Sequence, residues 1–122
     1  MLWKFDFLTM KKVIIKKSKI GQFEKGVFSN RNFKKGEIVI RYHLKLLTKK
    51  KFENLPKKDK NFVHNHHGKL FLYSSPERYI NHSSNPNIIQ DIKNRCDVAL
   101  RNIKKNEEVT TNSEKDDVFQ LI

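Results

Sequence analysis

The residues best suited to chemistry lie in one polar string, Arg78-Tyr79-Ile80-Asn81-His82-Ser83-Ser84-Asn85-Pro86-Asn87. Paired Ser and Asn-Pro by themselves mark a turn, because Ser and Asn side chains cap their own backbone and Pro presets φ. That accounts for residues 83 to 87 and leaves Asn81 and His82 over, an amide and an imidazole that neither packing nor turn formation demands. His82 alone has a bland reading as a buried imidazole satisfied by a backbone carbonyl. A second concentration, His64-Asn65-His66-His67, has the imidazoles to bind a transition metal. No Cys or carboxylate stands at ligand spacing, so a solvated loop and no metal are expected. His43 reads as a strand-end side chain. Cys96 is the only cysteine, which excludes an intramolecular disulfide and a multi-cysteine zinc site.

Positioning these groups falls to short elements. Ser74-Ser75-Pro76-Glu77 has a Ser cap, Pro in the first helical turn and an acid near the positive helix end, so a short helical turn is expected to deliver Asn81-His82 to a loop. Val13-Ile14-Ile15, Glu37 to Tyr42, Leu70 to Tyr73, Asn87-Ile88-Ile89 and Val98-Ala99-Leu100 are β-branched or aromatic runs between Gly, Asn and Lys-rich turns. They predict about five to eight strands. One helix is expected from Thr48 to about Asn65, starting on a Thr cap, carrying Phe52, Leu55 and Phe62 on an apolar face, and interrupted by Pro56. At 122 residues the chain reads as one domain, with no internal repeat and no low-complexity linker.

The polar string resembles the signature of SET-domain protein lysine methyltransferases, usually written RFINHSCxPN. Two further blocks carry the same resemblance in the family's order. Lys25-Gly26-Val27-Phe28-Ser29 followed by Asn32-Phe33-Lys34-Lys35-Gly36-Glu37-Ile38-Val39 is similar to the opening GxGVFA turn and the strand introduced by a KGE turn. Asp97 to Thr110, running DVALRNIKKNEEVT, is similar to the closing strands, commonly VALRDIKKGEEIT. The resemblance covers roughly residues 12 to 113. It implies a single domain over 1–122, mainly β with a short helical insert at about 48–66: a SET-domain, β-clip-type fold of several small sheets with a threaded C-terminal segment, 111–122. Many larger members use a cysteine of the central motif in a zinc cluster. Ser84 stands in that place, as in the zinc-free type.

By the same resemblance the chain uses S-adenosylmethionine as methyl donor and a lysine of a protein as acceptor. Backbone groups around Lys25, Gly26 and Val27 are expected to hold the donor's amino-acid end, together with Arg78, Asn81 and His82. Phe119 is expected either to cover the adenine or to pack in the core. The family also guides the neutral amine through a channel lined by tyrosines; Tyr73 and Tyr79 are the candidates here, with Tyr42 more a strand or core aromatic. Three positions depart from the family. Ser113 takes the place of the catalytic tyrosine, and a serine hydroxyl falls several ångströms short of a phenol. Thr111 replaces the other tyrosine. Glu24 replaces the first glycine of the donor loop, where φ > 0 and close backbone approach favour Gly; Gly21 serves instead if Gln22-Phe23 is an insertion.

Charge narrows the partners less. The formal net charge is +13, which ordinarily points to nucleic acid or another acidic partner. Yet 21 of the 26 basic residues are Lys, and Lys, Asn, Ile and Phe make up 53 of 122 residues, the bias of A/T-rich codons. Arg, which reads phosphates bidentately, is scarce. The Lys runs at 11–12, 16–17, 49–51 and 57–58 are therefore read as solvated faces, with nucleic-acid binding kept as the alternative function of a catalytically silent domain. Asp91, Glu114, Asp116 and Asp117 could line a groove for a Lys-rich substrate. No stretch approaches the roughly 20 apolar residues of a membrane span, and no secretory signal is seen. A soluble protein of the cytoplasm or nucleus is expected.

Overall fold

The computed structural model describes residues 11–20 and 25–112. Ten short strands form three small sheets among the described residues. They are β1 (Val13–Lys17), β2 (Lys25–Ser29), β3 (Ile38–Arg41), β4 (Lys45–Leu47), β5 (Val63–His66), β6 (Lys69–Leu72), β7 (Asn81–His82), β8 (Ile88–Asp91), β9 (Cys96–Ala99) and β10 (Glu108–Thr111). The first sheet runs β1-β2-β10-β7, the second β3-β9-β8 and the third β4-β6-β5. All pairs are antiparallel except β7 with β10, which places Asn81 opposite Thr110 and His82 opposite Thr111. The mainly β architecture with several small sheets agrees with the sequence expectation.

A buried cluster including Val27, Phe33, Ile40, Ile88, Ile103 and Val109 joins the first two sheets, and Tyr42, Tyr79 and Ile80 pack against it. Burying each large apolar side chain contributes about 1.5–3 kcal/mol. Two turns close this core, and they are copies of one another. Arg31-Asn32-Phe33-Lys34-Lys35-Gly36-Glu37 and Arg101-Asn102-Ile103-Lys104-Lys105-Asn106-Glu107 share a pattern. In each the sixth residue has positive φ, Gly36 at 90° and Asn106 at 73°. Each glutamate binds the arginine six residues earlier, Arg31 to Glu37 at 3.0 Å and Arg101 to Glu107 at 2.9 Å. Phe33 and Ile103 exchange backbone hydrogen bonds at 2.8 Å, while the Asn32 and Asn102 side chains accept the Lys105 and Lys35 amides. The expectation of no internal repeat is thus corrected: a seven-residue unit occurs twice and the copies clasp each other.

Burial opposes ionisation of Glu107, but hydrogen bonds from Asn87, Arg101 and the Lys104 amide outweigh it and hold its carboxyl below the usual range. Its contribution to stability is therefore present above the unfolded value, about 4.3, and is lost as pH falls through the lower folded value. Thermal midpoints followed from about pH 6 to about pH 3 should fall more steeply in the native protein than in Glu107→Gln, a difference that a structurally idle carboxylate would not produce.

The helical expectation needs correction. Thr48 does cap a helix, accepting the Lys51 amide at 3.1 Å, but α1 ends at Glu53 (Lys49–Glu53). Pro56 restarts the chain as α2 (Lys57–Lys60), since proline cannot continue an i to i−4 ladder. The next residues then turn into β5. The loop expected at His64-Asn65-His66-His67 is instead a hairpin. His67 and Gly68 take positive φ at its tip, and the Asn65 side chain accepts the Gly68 amide at 2.8 Å, the geometry of a two-residue turn. His66 faces inward and is buried. Upstream of the polar string, the expected Ser cap is absent. Ser74 donates its hydroxyl to the His43 carbonyl at 2.8 Å, and only a single 3₁₀ turn, Glu77–Tyr79, forms.

Candidate active site

Four chain segments meet at Asn81. Ser18 follows β1, Lys25 opens β2, Glu108 opens β10, and Asn81 opens β7 rather than lying in the expected loop. Asn81 is fully buried. Its amide nitrogen donates to Ser18 Oγ at 3.0 Å, the Lys25 carbonyl at 3.1 Å and Glu108 Oε2 at 3.0 Å. Two hydrogens facing three acceptors fix the orientation of the side chain, and Oδ1 is left buried with no hydrogen-bond partner among the described residues. Leaving such an acceptor unpaired costs about 1–3 kcal/mol. A ligand N–H placed there would recover it.

The Glu108 carboxylate organises this corner. It accepts the Ser18 hydroxyl at 2.9 Å and the Lys19 amide at 3.0 Å besides Asn81. It also lies so close over Gly26 that a Cβ there would stand 2.5 Å from Oε2, which explains why this strand residue has no side chain. Ser18 and Glu108 were not singled out as site residues in the sequence. The available signal was the doubled acid Glu107-Glu108 at a strand start, where β-propensity disfavours Glu. Beside this corner a depression of about 520 Å³ is lined by Ile15, Lys16, Lys17 and Lys25. A larger cleft of about 750 Å³ lies elsewhere, between β1 and β3, with apolar walls and Lys11, Lys12 and Arg41 at its rim.

The other candidates are placed as follows. Val27 is in the core, and His82 is half-buried on β7. Tyr79 is half-buried, with the Lys25 ammonium 5.2 Å from its ring centre and Phe62 against its edge. Arg78 does not join Asn81: its Nε donates to the Tyr73 carbonyl at 2.8 Å and its Nη1 to Asp59 at 3.2 Å, tying the helical insert to the end of β6. Thr111 pairs with His82, and its carbonyl accepts the Ser83 amide. Glu24, Ser113 and Phe119 lie outside the described residues, as do Gly21, Glu114, Asp116 and Asp117.

A second polar cluster gathers Tyr42 and Tyr73, whose ring centres are 5.6 Å apart. The Tyr73 hydroxyl is 2.8 Å from His66 Nε2 and accepts from the Gln90 amide at 2.7 Å. Tyr42 donates its hydroxyl to buried Asp97. Burial and the Asp97 charge push the Tyr42 phenol far above its ordinary pKa, so it stays neutral. Among the described residues no group of three or more His, Cys, Asp or Glu side chains could hold a metal ion, and no helix is long and apolar enough to cross a membrane.

The family model for the SET domain matches residues 24–112, most of the chain and both polar clusters. Among solved structures, a candidate histone methyltransferase of Plasmodium falciparum is 26% identical with a TM-score of 0.64, over 83% of this chain and 91% of that one. Chains of the Chaetomium thermophilum Polycomb Repressive Complex 2 share the fold. One in the complex bound to the inhibitor GSK126 is 23% identical with a TM-score of 0.68, and one in an apo form is 21% identical with a TM-score of 0.70. Each of these two matches covers 87% of this chain but 15% of the other. No curated protein sequence matches. The family match, the fold and the motif at Asn81-His82 agree, and the chain belongs to the SET-domain family, a family of protein lysine methyltransferases.

Proposed function

We propose that this chain transfers a methyl group from S-adenosylmethionine to a lysine ε-amine of a protein substrate. The observation that carries the proposal is the buried, unpartnered Asn81 Oδ1, held in place by Ser18, Lys25 and Glu108. The donor's ammonium supplies the N–H that this acceptor lacks, and the lysines at the neighbouring depression suit its carboxylate. When bound, the donor contributes a sulfonium methyl that a neutral amine can displace. The protein's part is positioning, worth about 7–11 kcal/mol when two reactants are pre-oriented. Lys25, Gly26, Val27, Asn81 and His82 orient the donor from one side of the core, with Arg78 bracing β6 and Phe119 as the cover for adenine. Tyr73, with Tyr42 and Tyr79, receives the amine from the other side. The relatives support a basic protein such as a histone as substrate, and with it an intracellular site of action.

The test is transfer of labelled methyl from S-adenosylmethionine to histone H3 and to proteins of a whole-cell extract. Donor binding without transfer to any protein would sink the proposal. In the same assay Ser113→Tyr should raise the rate, by about tenfold or more if a missing phenol contact limits the native protein. An unchanged rate would mean that Ser113 does not stand at the tyrosine's place. A second reading draws on Lys17 facing Lys25 across β1 and β2, with Lys16 alongside: a silent SET domain that binds nucleic acid. It predicts no donor binding and an affinity for DNA or RNA that falls steeply with salt.

A further inference from the structure

Asp97 sits at the centre of the second sheet, opposite Ile40 of β3 and Gln90 of β8, and it is 2% exposed. A carboxylate in a central strand costs stability unless its partners justify it. Its Oδ1 takes the Tyr42 hydroxyl hydrogen. The same division of labour holds at Tyr73. Gln90 donates to that phenol oxygen, so the phenol hydrogen turns to His66 Nε2. A phenol has one hydrogen and two lone pairs. With both hydrogens committed, each oxygen can offer an incoming group only an acceptor.

We propose that Asp97 and His66 are positioning residues that turn Tyr42 and Tyr73 into hydrogen-bond acceptors for the N–H groups of the substrate amine, with the Asp97 charge drawing the ammonium form into the cluster. This rests on the lysine-methyltransferase reading above and names two groups that reading does not require. Tyr42 and Gln90 are half-buried and His64 is exposed, so the cluster reaches the surface between β3, β5 and β8. His64 lies over Tyr73 with ring centres 4.3 Å apart. The other charged or titratable groups around Asp97 are Arg41 on β3, Asp91 on β8 and Cys96 on β9. Burial, then Asp91 and Asp97, raise the Cys96 thiol, so the cysteine carries no charge near neutrality.

The sign follows from the charge. A carboxylate beside the amine favours ammonium, so the amine needs a higher pH to become a nucleophile. Asp97→Asn keeps the shape and removes the charge. With histone H3 as the probe, this variant should raise KM about tenfold and move the acid limb of the kcat profile to lower pH. A limb set by His64 or His66 would stay in place. Tyr42→Phe should also raise KM, with little further loss when combined with Asp97→Asn, because both changes break the same bond. An acid limb that does not move, or additive losses in the double variant, would overturn the inference. Should Asp97→Asn fail to fold, Tyr42→Phe decides alone, and an unchanged KM for histone H3 sinks the idea. Absence of transfer by the native protein removes the functional reading itself, an outcome distinct from an active native enzyme whose Asp97→Asn variant behaves identically.

Discussion

Asn87→Ala should unfold this domain at physiological temperature or bring it close, with a loss of about 3–5 kcal/mol against a typical total of 5–15. Asn87 is 1% exposed, and every polar atom it has is used. Its side-chain nitrogen donates to Glu107 Oε2 at 3.0 Å and to the Glu108 carbonyl at 2.8 Å. Its side-chain oxygen accepts the Thr110 amide at 2.8 Å. Its own amide donates to the Thr110 carbonyl, and its carbonyl accepts the Leu100 amide. The residue therefore knots the stretch before β8 to the start of β10 and to the end of β9. Alanine would leave a buried amide and a buried carbonyl unpaired, each costing about 1–3 kcal/mol, and would open a small cavity besides. Thermal unfolding of the two proteins checks this. Asn87→Asp is the informative companion, since it keeps the acceptor for Thr110 but faces the Glu107 carboxylate and the Glu108 carbonyl with no donor. A melting point within a degree or two of the native value for Asn87→Ala would show that β10 is held by its pairing with β2 and β7 alone.

How far the sequence displays this molecule depends on whether a residue's task is local. The strands centred on Val13-Ile14-Ile15, Leu70-Phe71-Leu72 and Val98-Ala99 are legible because alternation and β-branching act within each segment. The Thr48 cap is legible for the same reason. β5 is not, because His64, Asn65 and His66 become strand residues through pairing with β6 and a hairpin turn that His67 and Gly68 permit. β7 is two residues long and exists only because β10, about 30 positions later, runs beside it in parallel. The duplicated turn shows a further limit. Its two copies lie about 70 residues apart, and Phe33 against Ile103 or Gly36 against Asn106 obscures the identity of the remaining positions. The string around Asn81 and His82 could be noticed because its polarity was unexplained. Ser18, Glu108 and Asp97, which give Asn81 and Tyr42 their orientation, are separated from them by 27 to 90 residues, and only the folded chain brings these groups together.

Saturating S-adenosylmethionine should raise the thermal midpoint of the native protein by about 10 °C, and Asn81→Ala should lose most of that rise. At a donor concentration a hundred times Kd, linkage gives about 2.7 kcal/mol of stabilisation, which for a domain near 120 residues corresponds to a shift on that order. Removing the Asn81 amide deletes the one buried acceptor that lacks a partner, so the bound ammonium loses a charge-assisted bond worth about 1–3 kcal/mol. Without ligand the same change has opposing parts. The buried, unpaired Oδ1 disappears, which stabilises, while Glu108 and the Lys25 carbonyl lose a shared donor, which destabilises. The ligand-free midpoint should therefore move less than that of Asn87→Ala, although both are buried asparagines of one motif. That contrast separates a residue kept for a ligand from one kept for the fold. If the donor fails to shift even the native protein at millimolar concentration, Asn81 serves only to join Ser18, Lys25 and Glu108, and the domain has left methyl transfer. If both proteins shift equally, the donor binds without Asn81, and the lysines around the neighbouring depression become the groups to replace next.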